Sequence, residues 1–494
     1  MAGALHDLSD NTYPRDSERD HAVTYQSFYA PEALTPSGWR QGVRLEVVMS
    51  GPQAGKISNV ELGVDAQATD EIFSGPLMPG MPNLHSHIFQ RAIAGRTATQ
   101  LSGSRDHFWT WREAMYRAAL NLSPDQVEAI AAQGFLELLS AGYTSVAEFH
   151  YLHHDTRGER YRDLGELSKR VISAARRVGI AITHLPVLYR WSGVNEAAPL
   201  TEQRRFTLTL DEYASLVDGL RAHYHDDSNV RVGRAPHSLR AVSPQDLKLL
   251  IEQHQADAHA HPLHIHIAEQ RAEVEMWLEA HRARPVEWLL DHAPVDQHWC
   301  LVHATHLDER ETERLARSRA VMGLCPTTEA DLGDGLSPLP RFLQSGGVFG
   351  IGSDSNLRAD PAEELRFLEW GQRLKHEQRN ISFSRGVCDE VDAGHRSLGV
   401  SLHLAALRGG MSAMGREALL EVGSWADWVI LDPESEGLEG ARGHRWSDQW
   451  IFAARNARPD EVYVAGSRVI KGGEHPQAQE IRQRYQQVVS ELYG

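Results

Sequence analysis

The chain has 494 residues, with 50 Lys or Arg against 67 Asp or Glu and a formal net charge of −17. That acidity excludes nucleic acid and an anionic membrane surface as expected partners, because both require a basic footprint. Hydrophobic content of 41% and charged content of 24% are those of a soluble globular protein, and no apolar run approaches the roughly 20 residues of a membrane helix. Three cysteines, Cys300, Cys325 and Cys388, form an odd set without Cys-x-x-Cys, which argues against a disulfide framework and a thiolate metal site. Met1 to Arg19 has no apolar core of a secretory signal, so residues 1–25 read as a mobile extension and the protein is expected in the cytoplasm.

From the N-terminus onward, Val43, Leu45 and Val47, then Ile57, Val60 and Leu62, alternate with polar residues around a Gly-Pro-Gln-Ala-Gly turn. This predicts a small antiparallel sheet. A similar texture returns in Ala426–Asp432 and Glu461–Ile470, so residues 26–78 and 420–475 are expected to build one sheet domain together. Between them, residues 79–419 alternate helices with short apolar strands. Ser123-Pro-Asp-Gln126 supplies an N-cap, a proline at the first helical position and a capping-box glutamine, and Gly142 a C-terminal stop. Strands are predicted at Gly80–Leu84, Thr144–Phe149, Ala181–Val187, Val230–Arg234, Leu263–Ile267, Trp299–His303, Val321–Leu324 and Val348–Ile351. Eight strands with intervening helices predict an α/β fold of the (β/α)8 TIM-barrel type, with a C-terminal helix over residues 476–494.

In such a barrel the chemistry gathers at the C-terminal ends of the strands. His85-Ser86-His87 follows the first strand, and residues i and i+2 of a strand share a face, so both rings can converge on one metal ion. Alone the pair is weak: with 27 histidines the chain carries four His-x-His pairs, where chance supplies about 1.5. The others are His223/His225, His259/His261 and His264/His266. Position gives the first its weight. His266 ends strand five, His303 strand six, and Asp354 strand eight within Gly350-Ile-Gly-Ser-Asp354. Histidines and a carboxylate without thiolates suit zinc or a similar divalent ion that activates water. Glu269, three residues past His266, is placed to act as general acid/base. His303 can orient the attacking oxygen or polarise the attacked centre. Taken singly, Asp354 also suits a turn or a helix cap.

Pro-Gly-x-x-Asn-Leu-His-Ser-His87, the His266-Ile-Ala-Glu269 strand end, Val-His303 and Gly-Ser-Asp354 resemble the amidohydrolase superfamily, in its mononuclear deaminase-like branch. The resemblance implies His85, His87, His266 and Asp354 as metal ligands, with Glu269, His303 and Asp354 as catalytic residues. A closer similarity is to the formimidoylglutamate deiminase family. It runs over five blocks, His85–Gly95, Phe108–Tyr116, Glu148–His154, Ala235–Val242 and Cys325–Gly335. This implies hydrolysis of a small dianionic amidine, N-formimidoyl-L-glutamate, to N-formyl-L-glutamate and ammonia in histidine degradation, with one divalent ion per subunit, most simply Zn2+, and a homodimer. It also implies a pocket lined by Gln90, Arg112, Tyr151, His237 and Arg240, in which the arginines offer forked donors to the carboxylates. The alternatives are a deaminase of another substrate, such as an aminopurine or triazine ring, and a binding protein that kept the barrel and lost catalysis.

Overall fold

A computed structural model describes residues 23–98, 107–257, 261–387 and 396–494. Most of the expected N-terminal extension (residues 1–22), His259 and Cys388 lie outside the described residues. The strands, in chain order, are β1 (Tyr25–Thr35), β2 (Gly38–Val48), β3 (Ile57–Leu62), β4 (Glu71–Ile72), β5 (Leu77–Pro79), β6 (Met81–Ser86), β7 (Tyr143–His150) and β8 (Ala181–Leu188). They continue with β9 (Val230–Val232), β10 (Ala235–Pro236), β11 (Leu263–Ile267), β12 (Trp299–His303), β13 (Val321–Leu324), β14 (Val348–Ile351), β15 (Trp428–Leu431), β16 (Pro459–Val464) and β17 (Ser467–Ile470).

Strands from both ends of the chain share one sheet, ordered β17-β16-β15-β5-β1-β2-β3 with β4 paired to β1. The alternation at Val43, Leu45 and Val47 places those side chains in a buried cluster with Phe28, Phe73, Trp428 and Tyr463. Phe28 meets Trp428 edge-on with centroids 5.3 Å apart, and Phe73 meets Tyr463 at 5.6 Å. Such pairs add about 0.5–1.5 kcal/mol beyond the burial of their area. β1 has no counterpart in the sequence reading, because Pro31 interrupts its pattern. The ladder steps over that residue, from Ala30 opposite Val43 to Glu32 opposite Gln41, as a residue without an N–H requires.

The barrel consists of two parallel half-sheets, β6-β7-β8 continuing into β9 and β10, and β11-β12-β13-β14. Isolated bridges join them, Arg234 to Leu263 and Ser238 to His266 on one side and Ser86 to Asp354 on the other. All eight predicted strands form, the fourth as two pieces broken at Gly233. A Cβ at that glycine would stand 2.7 Å from Pro262 O, so the close approach of the next strand excludes a side chain there.

Two helices follow β6: α1 (Phe108–Ala119) and α2 (Pro124–Ala141). α2 starts and stops where its caps predict, with Ser123 and Gln126 bonded reciprocally and Gly142 in a left-handed conformation. At the other end of the barrel, the last turn of helix Leu398–Met414 accepts hydrogen bonds from inward-facing residues. His264 Nε2 donates to Ala413 O at 2.7 Å, and Thr183 Oγ1 to Met414 O at 3.0 Å. The lower histidine of the His264/His266 pair is thus committed to the floor of the barrel. His225 of the second pair is exposed beside Asp226. Among the described residues, no helix is long and apolar enough to cross a membrane.

Candidate active site

β6 ends by delivering His85 and His87 to the mouth of the barrel, and β11 delivers His266. Their Nε2 atoms converge: His85 lies 3.2 Å from His87 and 3.0 Å from His266. Asp354 Oδ1 closes the group at 3.4 Å from His87 Nε2 and 3.8 Å from His85 Nε2. The outer nitrogens fix the tautomers. His87 Nδ1 donates to Phe149 O at 2.8 Å and His266 Nδ1 to His237 O at 3.0 Å, and a carbonyl can only accept. Each of these two Nε2 atoms therefore turns a bare lone pair inward. Burial holds all three imidazoles below their ordinary pKa, hence uncharged. Neutral nitrogens and one carboxylate oxygen pressed this close repel one another unless a cation sits among them, so the donor set fits a divalent metal ion.

The backbone around these residues is unusual. His303 (φ 67°), Ala304 (47°), Ala268 (52°) and Asp354 (46°) all adopt left-handed conformations without being glycine. Such strain persists where the surrounding structure enforces it, and it gathers at functional sites. Here it turns the chain sharply just past strands β11, β12 and β14, where functional side chains must face the barrel axis.

His303 Nε2 stands 3.8 Å from Glu269 Oε1 and 3.7 Å from Asp354 Oδ2, while its Nδ1 bonds Glu329 Oε1 at 3.2 Å. Burial opposes the charge of this ring, but the carboxylates of Glu269, Glu329 and Asp354 outweigh it and hold the imidazolium pKa well above the usual value. Burial pushes Glu269 up to about 7, the His303 charge opposing and Asp354 adding to the rise. Asp334 is buried against the same pair, bonded to Gln270, and burial pushes it up to about 10.

The cleft above this cluster is lined by every residue selected from the sequence except His85. Gln90 Nε2 donates to Tyr151 OH at 2.8 Å, and its own Oε1 is buried without a partner among the described residues. Arg112, on α1, lies over the Trp109 ring at 4.4 Å, and its buried Nη1 has no partner among the described residues. Arg240 reaches Tyr189 OH at 3.5 Å. An acidic protein has thus concentrated two guanidiniums opposite the histidine cluster, with hydrogen-bonding capacity left open for a ligand. Sequence reasoning passed over Glu329, Tyr116, Tyr189 and Gln203. Glu329 had a signal, an acid one helical turn past the end of β13. Tyr116 lies on α1 whereas Tyr189 and Gln203 lie in the segment after β8, so they reach one another only in three dimensions.

The amidohydrolase family model matches residues 77–469, a span that contains the whole barrel and every residue of the cleft. The chain belongs to that family. A second model, the N-terminal domain of formimidoylglutamate deiminase HutF, matches residues 26–74. The formimidoylglutamate deiminase of Pseudomonas aeruginosa is 43% identical over 468 residues, covering 94% of this chain and 99% of that protein, which places the chain among the formimidoylglutamate deiminases. A crystal structure of an amidohydrolase from Brucella melitensis is 42% identical and superposes with a TM-score of 0.87 over 95% of this chain and 100% of that one. An adenosine deaminase from Xanthomonas campestris shares the fold, with a TM-score of 0.74 at 19% identity over 94% of this chain and 98% of its own.

Proposed function

We propose that the protein hydrolyses N-formimidoyl-L-glutamate to N-formyl-L-glutamate and ammonia, a step of histidine degradation. The observation that carries this reading is the pairing of two cleft arginines, Arg112 and Arg240, with the converged His85, His87 and His266. An amidine bearing two carboxylates suits such a cleft, whereas a neutral purine or triazine ring offers the two guanidiniums no carboxylate to bind. The 43% identity to the Pseudomonas deiminase over nearly the full chain supports it.

In this reading His85, His87, His266 and Asp354 hold one divalent ion, zinc being the natural occupant of a nitrogen-rich, thiolate-free set. When bound, the ion supplies a Lewis acid that makes water acidic enough to yield its proton near neutral pH. Glu269 accepts that proton and passes it to the terminal amidine nitrogen, then carries the second proton from the added oxygen to the same nitrogen as it leaves as ammonia. Water contributes the formyl oxygen, the C–N bond to the terminal nitrogen breaks, and no electrons are exchanged. The His303 imidazolium, fixed by Glu329, donates from Nε2 towards the attacking oxygen. Arg112 and Arg240 bind the carboxylates, and Gln90, Tyr151 and His237 complete the polar wall. The protein works in the cytoplasm as a homodimer.

A coupled assay of ammonia release tests the reading. Metal-loaded protein is expected to act on N-formimidoyl-L-glutamate well ahead of N-formimidoyl-L-aspartate, guanine and adenosine. Faster turnover of either ring substrate would overturn it.

A further inference from the structure

Gln203 ends a short helical turn (Thr201–Gln203) in the loop after β8 and is completely buried. Its amide can be oriented without ambiguity. Oε1 accepts from Leu200 N at 2.9 Å, and because a backbone N–H can only donate, the NH2 group must face the other way. There Nε2 donates to Tyr189 OH at 2.8 Å and to Tyr116 OH at 3.2 Å. Arg240 Nη1 also donates to Tyr189, at 3.5 Å.

Both phenol oxygens are therefore acceptors, and each hydroxyl hydrogen must find a partner elsewhere. Among the described residues neither has one. Tyr151 provides the contrast: it accepts from Gln90 but sends its own hydrogen to Met115 Sδ at 3.8 Å. Tyr116 and Tyr189 are 5% and 2% exposed and line the cleft that holds Glu269 and His303. Among the described residues, the free hydrogens thus have the cleft as their outlet. Arg112, whose guanidinium lies 5.5 Å from the centre of the Tyr116 ring, has its unpartnered Nη1 in the same region.

We propose that Gln203 is a positioning residue that turns the hydroxyl hydrogens of Tyr116 and Tyr189 into the cleft, where with Arg112 and Arg240 they form a donor-only pocket that selects a carboxylate over a carboxamide. This rests on the reading of the substrate as a dianion. A carboxylate accepts on every lone pair it presents. A carboxamide of the same shape sets its own N–H groups against these donors and leaves both sides unsatisfied.

The experiment compares metal-loaded wild type with Gln203→Glu on N-formimidoyl-L-glutamate and on its two monoamides, the formimidoyl derivatives of glutamine and isoglutamine. The new carboxylate still accepts from Leu200 N–H but also accepts from both tyrosines, drawing their hydrogens out of the cleft. Expected is a rise in KM for the diacid of about tenfold or more, the effect of losing one hydrogen bond to a charged group, with kcat changed less than about threefold. The preference for the diacid over one monoamide should fall by a similar factor. Unchanged preference in a folded variant would overturn the proposal. So would a further tenfold loss when Gln203→Glu is added to Tyr116→Phe/Tyr189→Phe, because the new charge would then be acting on the substrate directly. If Gln203→Glu does not fold, the single variants Tyr116→Phe and Tyr189→Phe decide, and diacid preference intact in both sinks it. A wild type inactive on the diacid would instead overturn the proposed function itself.

Discussion

Asp354 faces two ways: Oδ1 lies 3.4 Å from His87 Nε2, and Oδ2 lies 3.7 Å from His303 Nε2. One carboxylate thereby links the histidine cluster to His303 and Glu269, the pair proposed to handle protons. Its left-handed backbone presents the side chain between them.

Glu269 gives the first prediction. Burial pushes its pKa up to about 7, the His303 charge opposing and Asp354 adding, and a base works only when ionised. The kcat/KM for the amidine is expected to fall as pH drops through neutrality, with a midpoint at or below about 7 once a cation sits nearby. Glu269→Gln should lower kcat by on the order of 10²–10⁴ with metal content unchanged. A pH profile flat from about 5 to 8, or near-normal ammonia release by the variant, would remove Glu269 from this role.

Glu329 holds His303 from behind while also accepting Cys325 N–H at 2.9 Å. Glu329→Gln keeps the shape but removes the charge that helps hold the imidazolium. Turnover should drop roughly 10- to 100-fold, as for other outer partners of functional imidazoles, while KM stays close to that of wild type. A larger change in KM than in kcat would show that Glu329 serves the substrate pocket instead.

Gly352 packs on a metal-ligand candidate: a Cβ there would stand 2.7 Å from His85 O and 2.9 Å from His85 Cβ. Gly352→Ala is expected to displace His85 and weaken metal affinity by at least about tenfold, measured by competition with a chelator. Chelation of the wild-type protein should abolish ammonia release and lower the Tm, because only the folded state offers the assembled donor set. Equal Tm values with and without chelator would contradict that.

Arg416 and Asp427 form a buried bidentate pair at 2.7 and 3.0 Å, and Asp427 also accepts Ala465 N–H. The pair ties the end of helix Leu398–Met414 to the terminal sheet, far from the cleft. Arg416→Met strands a buried carboxylate and should cost about 3–5 kcal/mol in chemical denaturation. The KM of the remaining folded enzyme should not move, and a shift in it would show that the pair reaches the cleft.

Where a side chain owes its position to a strand end, the sequence was readable. His85, His87, His266, His303 and Asp354 follow apolar runs short enough to be strands, and period-2 geometry brought the first pair together. Local caps fixed α2 just as well, because Ser123 and Gln126 act within one turn. Pro31 hid β1, since a strand with a proline in its middle imitates a loop. The Gln203, Tyr116 and Tyr189 contacts were invisible for another reason: they join helix α1 to the segment after β8, and nothing in the local pattern of either says that they meet. The left-handed turns at His303 and Asp354 are likewise imposed by surrounding structure rather than by residue preference.

The bridge from Ser86 to Asp354 is the seam along which the first and last strands of the barrel meet, and the donor set straddles it. A divalent ion held by His85, His87, His266 and Asp354 would touch both edges of that seam, so the contacts that prepare it for chemistry would also pin the first strand to the last.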